Sequence, residues 1–179
     1  MSDRDNKPLS LCFSGHRPEK LPGGGKDTDN GFRRLLSLLY SEILKSIDEG
    51  YTVFYTGMSR GIDLWAAKFV IEQRFSHPNI KLICAVPYRG HGSELLGLEK
   101  WDYSTILDAA DKVVYVSDSY DRNCMRRRNE YMVNHSDKLI AVVKDKKSGT
   151  GMTINLARKK GIEIKAIDIG SISPILDGH

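Results

Sequence analysis

Two glycine-containing turns have the residue types and spacing of phosphate-binding segments. The first reads Thr56-Gly57-Met58-Ser59-Arg60-Gly61-Ile62-Asp63, and the second occupies residues 144–153 and contains Ser148-Gly149-Thr150. Each passes from an apolar run directly into a segment of helical periodicity. Glycines let backbone amides point inward, and a helix N-terminus adds roughly half a positive charge, so an anion is stabilised there without any lysine. Two such turns predict a cleft for a phosphate or pyrophosphate group.

A third turn, Ser14-Gly15-His16-Arg17-Pro18, follows the first apolar run. Gly15 permits close approach of a ligand to the backbone, while the side chains of His16 and Arg17 offer hydrogen-bond donors. The alternative interpretation is a tight turn with a stacked histidine and a solvated arginine. The position directly after a predicted strand favours the anion-binding interpretation.

Two further segments contribute candidate residues. Pro87 and Tyr88 follow the third apolar run, where the tyrosine ring would stack on a base or a ribose; the alternative is a surface tyrosine. Arg128 and Asn129 lie in a helical segment with three consecutive arginines, of which only one can face a given ligand because successive residues point about 100° apart. The predicted ligand-binding residues are Ser14, Gly15, His16, Arg17, Thr56, Gly57, Met58, Ser59, Arg60, Gly61, Asp63, Pro87, Tyr88, Arg128, Asn129, Ser148, Gly149 and Thr150.

Six short apolar runs are predicted to be the strands that position these turns. They cover residues 9–13, 52–55, 81–86, 112–116, 139–143 and 163–167. Most are continuously apolar, as expected for parallel strands covered on both faces. Helical periodicity predicts helices over residues 31–49, 62–74, 95–110, 123–134 and 150–160.

This alternation predicts an α/β fold: a single Rossmann-like three-layer domain over residues 1–179, with a mostly parallel sheet of about six strands and helices on both faces. Ligands of such folds bind at the carboxyl ends of the strands, where the strand order reverses. Residues 1–7 and 170–179 are predicted to be flexible ends, and residues 22–30 to form a lid or a simple loop.

Composition excludes several other classes of protein. Hydrophobic residues make up 40% of the chain, and no apolar run approaches the roughly 20 residues that cross a bilayer. The polar N-terminus does not resemble a signal peptide, so we expect a cytoplasmic protein with reduced, buried cysteines. Five scattered histidines and widely spaced cysteines predict no metal site. The formal net charge of +4 is modest for a nucleic-acid-binding protein.

The motifs together resemble the YpsA-like family, a bacterial family of the SLOG superfamily of modified Rossmann domains. The resemblance runs nearly end to end and rests on three segments: residues 14–18, residues 56–67, and residues 128–142. It implies a ligand built from a nucleotide, ADP-ribose or NAD, with the glycine turns as phosphate seats. The superfamily that this resemblance indicates also includes two groups of different function. These are the nucleoside-monophosphate phosphoribohydrolases and the DprA group, which binds single-stranded DNA.

The hydrolase relatives carry a Pro-Gly-Gly-x-Gly-Thr segment followed by glutamates. Here the corresponding run is Lys147-Ser148-Gly149-Thr150-Gly151-Met152-Thr153-Ile154-Asn155, in which no carboxylate follows Thr150. Ser148 also stands where many YpsA-like members have glycine. The chemistry of glycosidic hydrolysis is therefore not evident in this chain.

Three functions remain open from the sequence. The first, which we favour, is a sensing or signalling domain that binds a nucleotide derivative, requires no cofactor and forms a possible homo-oligomer. The second is an N-glycosidase-like enzyme, for which Asp63 and Glu94 are the weak catalytic candidates. The third is DprA-like binding of single-stranded DNA through Arg122 and residues 126–128, with Tyr120 and Tyr131 as stacking groups.

Overall fold

The computed structural model describes residues 6–172 and contains six strands and five α-helices in alternation. The strands are β1 (Leu9–Gly15), β2 (Tyr51–Thr56), β3 (Lys81–Val86), β4 (Lys112–Tyr115), β5 (Lys138–Val143) and β6 (Glu163–Asp168). The helices are α1 (Asn30–Asp48), α2 (Ile62–Gln73), α3 (Gly97–Ala109), α4 (Cys124–Asn134) and α5 (Gly149–Lys160).

All six strands form one parallel sheet in the order β4-β3-β2-β1-β5-β6. The chain builds outward from β1 through β4, then returns to the other side of β1 and continues through β5 to β6. The strand order therefore reverses between β1 and β5, where Gly15 is paired with Val142. This confirms the predicted α/β class and places the expected ligand position beside β1.

Two apolar layers cover the faces of the sheet. Helices α1, α2 and α3 bury one layer, which includes Phe32 and Ile62, and helices α4 and α5 bury the other, which includes Met132 and Ile154. Helix α1 shows how the sequence produces this arrangement. Asp29 caps its N-terminus by accepting a hydrogen bond from the backbone of Phe32, and its apolar stripe faces the sheet.

The main differences from the predicted boundaries lie in the loops. Helix α3 begins at Gly97 rather than at residue 95, because residues 87–96 form a series of turns with positive φ at Gly90 and Gly92. Within the segment 22–30, Pro22–Gly25 forms a short 3-10 turn.

The two predicted flexible ends fall largely outside the described residues. Of the C-terminal one, residues 170–172 are described: Ile169–Ser171 forms a 3-10 turn, and Ile172 packs against the core. Among the described residues, no helix is long and apolar enough to cross a membrane.

Candidate functional site

A cleft of about 380 Å³ opens where the strand order reverses, and we call it the switch-point cleft. Its walls come from the turn after β1, the turn after β2, helix α4 and the start of α5. Predicted ligand-binding residues that line it are Ser14, Gly15, His16, Arg17, Ser59, Asp63, Arg128, Asn129, Ser148, Gly149 and Thr150. Segments far apart in the sequence thus meet at the edge of the sheet that the topology selects.

Asp63 and Arg128 line this cleft, and both side chains lie close to Gly57 behind it. The Asp63 carboxylate accepts a hydrogen bond from the backbone of Ser59 at 3.2 Å. The Arg128 guanidinium donates to the carbonyl of Gly57 and, at 3.3 Å, to the hydroxyl of Ser59. A side chain on Gly57 would place its Cβ 2.6 Å from Arg128 Nη1 and 2.9 Å from Asp63 Oδ2. A side chain at this position would therefore displace one of the two buried charged groups.

Burial opposes both of these charges. It raises the pKa of Asp63 from 3.8 to about 6, against the attraction of Arg128 and the hydrogen bond from Ser59. Burial likewise lowers the pKa of Arg128, while Asp63 acts in the opposite direction. A guanidinium stays protonated in proteins, so the carboxyl group is the member of the pair that titrates. The cleft thus contains a carboxyl group that changes charge near neutral pH.

His16 connects two of the predicted turns. Its Nε2 accepts a hydrogen bond from the backbone amide of Lys144 at 2.9 Å, and its side chain is almost fully buried. Burial lowers the pKa of the imidazole, an effect to which the nearby Lys20 adds. The accepting nitrogen must be unprotonated, so the neutral ring fixes the turn after β5 against the turn after β1.

The N-terminus of α5 forms the opposite wall. Ser148 caps the helix, accepting a hydrogen bond from the backbone amide of Gly151 at 3.2 Å, with ordinary φ of −74°. Serine therefore needs no glycine-specific conformation here. The carbonyl of Lys146 lies so close that a Cβ on Gly151 would clash with it, whereas a Cβ on Gly149 would meet nothing within 4 Å. Gly149 alone of these glycines faces open space in the cleft.

A second cleft of about 500 Å³ adjoins the first, and we call it the outer cleft. Three residues line both: Arg17, Ser59 and Met125. The outer cleft takes in four further residues named from the sequence, which are Met58, Arg60, Tyr88 and Glu94. The two candidate carboxylates are thus separated, with Asp63 in the switch-point cleft and Glu94 in the outer cleft.

Arg60 forms ion pairs with two carboxylates of the protein. Its Nε lies 2.9 Å from Glu99 Oε2, and its Nη1 lies 2.7 Å from Glu19 Oε1. These pairs bind the turn after β2 to α3 and to the turn after β1. Arg17 differs, since it is exposed and forms no ion pair with any of the described residues.

Comparison with known proteins gives the family. A model of the YspA SLOG family, named YpsA, matches residues 11–173. The chain belongs to this family. It is 28% identical over 166 residues to a UPF0398 protein of Halalkalibacterium halodurans, covering 92% of this chain and 87% of that protein. It is 30% identical over 138 residues to the SPbeta prophage-derived protein YoqJ of Bacillus subtilis, covering 70% and 79% respectively.

Solved structures resemble this chain in fold. DNA processing protein A (DprA) from Streptococcus pneumoniae superposes with a TM-score of 0.61 at 17% identity, over 95% of this chain. DprA from Helicobacter pylori, described for its single-stranded DNA binding mode, gives a TM-score of 0.57 at 17% identity, over 89% of this chain. This chain spans 52% of the first protein and 65% of the second. At such identity the likeness shows the fold alone.

Four of the predicted ligand-binding residues line neither cleft: Thr56, Gly57, Gly61 and Pro87. The Thr56 hydroxyl is buried and donates to the carbonyl of Asp63 at 3.0 Å. Gly61 has φ of 91°, and a Cβ there would lie 2.5 Å from the carbonyl of His16. Thr56, Gly57 and Gly61 thus shape the turn after β2 without lining a cleft, whereas Pro87 follows β3.

Five residues of the switch-point cleft were not predicted: Phe13, Glu19, Lys20, Met125 and Met132. Met125 and Met132 could have been found, since they lie on the α4 face of Arg128 at three- and four-residue steps. Glu19 and Lys20 gave no comparable signal, because they lie in a 3-10 turn rather than in a periodic segment.

The consecutive arginines of α4 separate as helical geometry requires. Arg126 pairs with Glu130 at 2.9 Å, and Arg127 pairs with Asp121, both on the exposed side, while Arg128 enters the switch-point cleft. Within residues 6–172, no group of three or more His, Cys, Asp or Glu side chains is arranged to hold a metal ion.

Proposed function

We propose that this protein binds a nucleotide or a nucleotide derivative of the ADP-ribose or NAD type, with phosphate in the switch-point cleft. The observation that carries the proposal is the meeting of the α5 N-terminus with the exposed Arg17 at the reversal of strand order. The first turn of α5 offers backbone amides and the positive end of the helix dipole. Arg17 offers a guanidinium, which suits phosphate recognition.

The size and charge of the cleft support the same ligand class. A volume of about 380 Å³ lies within the range of roughly 300–1,000 Å³ that is usual for small-molecule sites. Besides Arg17, the cations Lys20 and Arg128 line it, against the carboxylates of Glu19 and Asp63. Glu19 is itself paired with Arg60, so the remaining balance favours an anion.

Calorimetry and thermal unfolding with AMP, ADP, ATP, ADP-ribose, NAD and cyclic nucleotides test this proposal. A ligand at one hundred times its Kd adds about 2.7 kcal/mol to the free energy of unfolding, which raises Tm by a few degrees. Arg17→Ala should weaken binding about tenfold or more, because it removes a charge-assisted contact to phosphate. Arg158→Ala is the matched control, since Arg158 is exposed in the last turn of α5 and away from both clefts.

Two results would count against nucleotide binding at this site. One is the absence of a thermal shift with any of these compounds. The other is a shift that Arg17→Ala and Arg158→Ala reduce equally, since binding would then depend on general charge alone.

Hydrolysis of an N-glycosidic bond is a second candidate function, favoured by one observation. Asp63 is buried in the switch-point cleft with its pKa raised to about 6, near the pH at which a general acid or base works well. Release of free base from AMP or NAD, measured by chromatography, tests it. Loss of that release in Asp63→Asn, in a variant that still unfolds cooperatively, would support catalysis by this carboxyl group.

Single-stranded DNA is less well supported as a ligand. Arg126 and Arg127 are paired with carboxylates and Arg128 is buried, so among the four candidate arginines only Arg122 is exposed without an ion pair to the described residues. Tyr131 packs against His135 with a centroid separation of 4.1 Å, which leaves Tyr120 as the exposed ring of the two candidates. Oligonucleotide binding that persists at physiological salt would favour this function over the nucleotide proposal.

A further inference from the structure

The outer cleft has the composition of a site for a flat heterocycle. Apolar and sulfur-containing side chains form much of its lining: Met58, Leu95, Leu96 and Met125, together with the ring of Tyr88. It is continuous with the switch-point cleft through Arg17, Ser59 and Met125. A ligand with phosphate in the first cleft would therefore extend its other end into the second.

His91 supplies a hydrogen-bond donor at the wall of the outer cleft. Its Nδ1 lies 2.9 Å from the hydroxyl of Tyr103, whose side chain is almost fully buried. Burial lowers the pKa of His91 to about 4, so the ring is neutral at pH 7. Among the described residues the Tyr103 hydroxyl has no other hydrogen-bond partner, so we assign it as the donor to Nδ1, which places the imidazole proton on Nε2.

Glu94 supplies an acceptor in the same cleft. It is exposed, and within residues 6–172 it forms no ion pair. The other glutamate of this cleft, Glu99, is already paired with Arg60 at 2.9 Å. Glu94 is thus the carboxylate of the outer cleft whose oxygens remain for a ligand.

We propose that the outer cleft binds an adenine base, with Glu94 accepting from the exocyclic amino group and His91 donating to an adjacent ring nitrogen. Adenine presents an amino donor beside a ring acceptor, which complements one carboxylate and one N–H group. Met58, Leu96 and Tyr88 provide the apolar surroundings of the ring. This assignment rests on the proposed nucleotide function and adds to it the position of the base and the residues that recognise it.

Calorimetry with four compounds tests the assignment: AMP, purine riboside 5′-monophosphate, GMP and ribose 5-phosphate. Purine riboside 5′-monophosphate lacks only the 6-amino group, so we expect wild-type protein to bind AMP at least about tenfold more tightly. Glu94→Ala should bring these two Kd values within about twofold of each other. Glu72→Ala, which removes an exposed glutamate of α2 outside both clefts, should preserve the difference.

The other outcomes separate the two proposals. If ribose 5-phosphate binds as tightly as AMP, or if Glu94→Ala leaves the preference for the amino group unchanged, the base assignment is wrong and the phosphate site stands. Tighter binding of GMP than of AMP also overturns the assignment to adenine. If none of the four compounds binds, the base assignment fails, and if ADP-ribose and NAD do not bind either, the nucleotide proposal fails with it.

Discussion

After β2, the turn places its glycines against buried groups of the protein, whereas after β5 the turn leaves Gly149 facing open space. A Cβ on Gly57 would meet Arg128 and Asp63, and one on Gly61 would meet the carbonyl of His16. A Cβ on Gly149 would meet no atom within 4 Å, although this glycine lines the switch-point cleft. Both turns lead through glycines from a strand into a helix, but they differ in what surrounds these glycines.

This difference separates two reasons for a glycine at a strand-to-helix turn. In the first turn, the protein itself occupies the space that a side chain would need, and the result is a rigid wall that contains two buried charged groups. In the second turn, the space is open to a ligand. We infer that the turn after β2 shapes the cleft, while the turn after β5 is the phosphate seat.

The largest expected effect concerns the carboxyl group of the first turn. The pKa of Asp63 is raised from 3.8 to about 6, so the folded protein holds a proton that the unfolded chain releases between these values. Protonation of Asp63 therefore adds about 3 kcal/mol to the free energy of unfolding below about pH 4. This contribution is lost as the pH rises through about 6.

Asp63→Asn removes this titration and keeps an oxygen for the amide of Ser59. Urea unfolding at pH 4.5 and pH 8 should show the variant gaining stability relative to wild type as the pH rises. A difference between the two proteins that stays constant with pH would show that Asp63 is not the titrating group of the wall.

Arg128→Met should destabilise the first turn by about 2 kcal/mol. Methionine keeps much of the buried stem but leaves the carbonyl of Gly57 without its guanidinium partner, and an unpaired buried acceptor costs about 1–3 kcal/mol. Urea unfolding of this variant beside Arg126→Met provides the measurement. Arg126 is exposed and pairs with Glu130, so its replacement should change stability by about 0.5 kcal/mol or less. Equal losses in the two variants would contradict a structural role for Arg128.

The fold could be predicted from local patterns because each element carries its own signal. Short apolar runs indicated all six strands, and the stripe of α1 with its stop near Gly50 indicated the longest helix. The strand order could not be predicted in the same way, since it depends on contacts between distant segments. Helix α3 was placed two residues early, because the turns before it contain Leu95 and Leu96, which look helical in sequence.

The site could be predicted only in outline. Arg17, Ser59 and Thr150 each follow a strand in the sequence, and for that reason they were predicted correctly to line a cleft. Sequence gave no means of telling that Arg60 is paired with two glutamates or that His16 accepts from the backbone of Lys144. Such roles depend on side-chain neighbours that lie far away along the chain.

Alanine in place of each glycine tests the comparison directly, with the smallest expected change in stability. Gly57→Ala should lower the free energy of unfolding by about 1–2 kcal/mol, because its Cβ would lie 2.6 Å from a guanidinium nitrogen that is buried and hydrogen-bonded. Gly149→Ala should change it by no more than about 0.5 kcal/mol, since its Cβ meets open space.

Of the two variants, Gly149→Ala should lose the less stability but should show a clear loss of ligand affinity. Gly149→Ala adds a methyl group where phosphate is proposed to approach the α5 amides, so nucleotide affinity should fall about tenfold while the fold is unchanged. Calorimetry with ADP-ribose at a temperature far below Tm measures this. If Gly149→Ala binds as wild type does and unfolds as wild type does, the open space beside Gly149 is not the phosphate seat, and the anion must lie nearer Arg17 and the wall formed by the first turn.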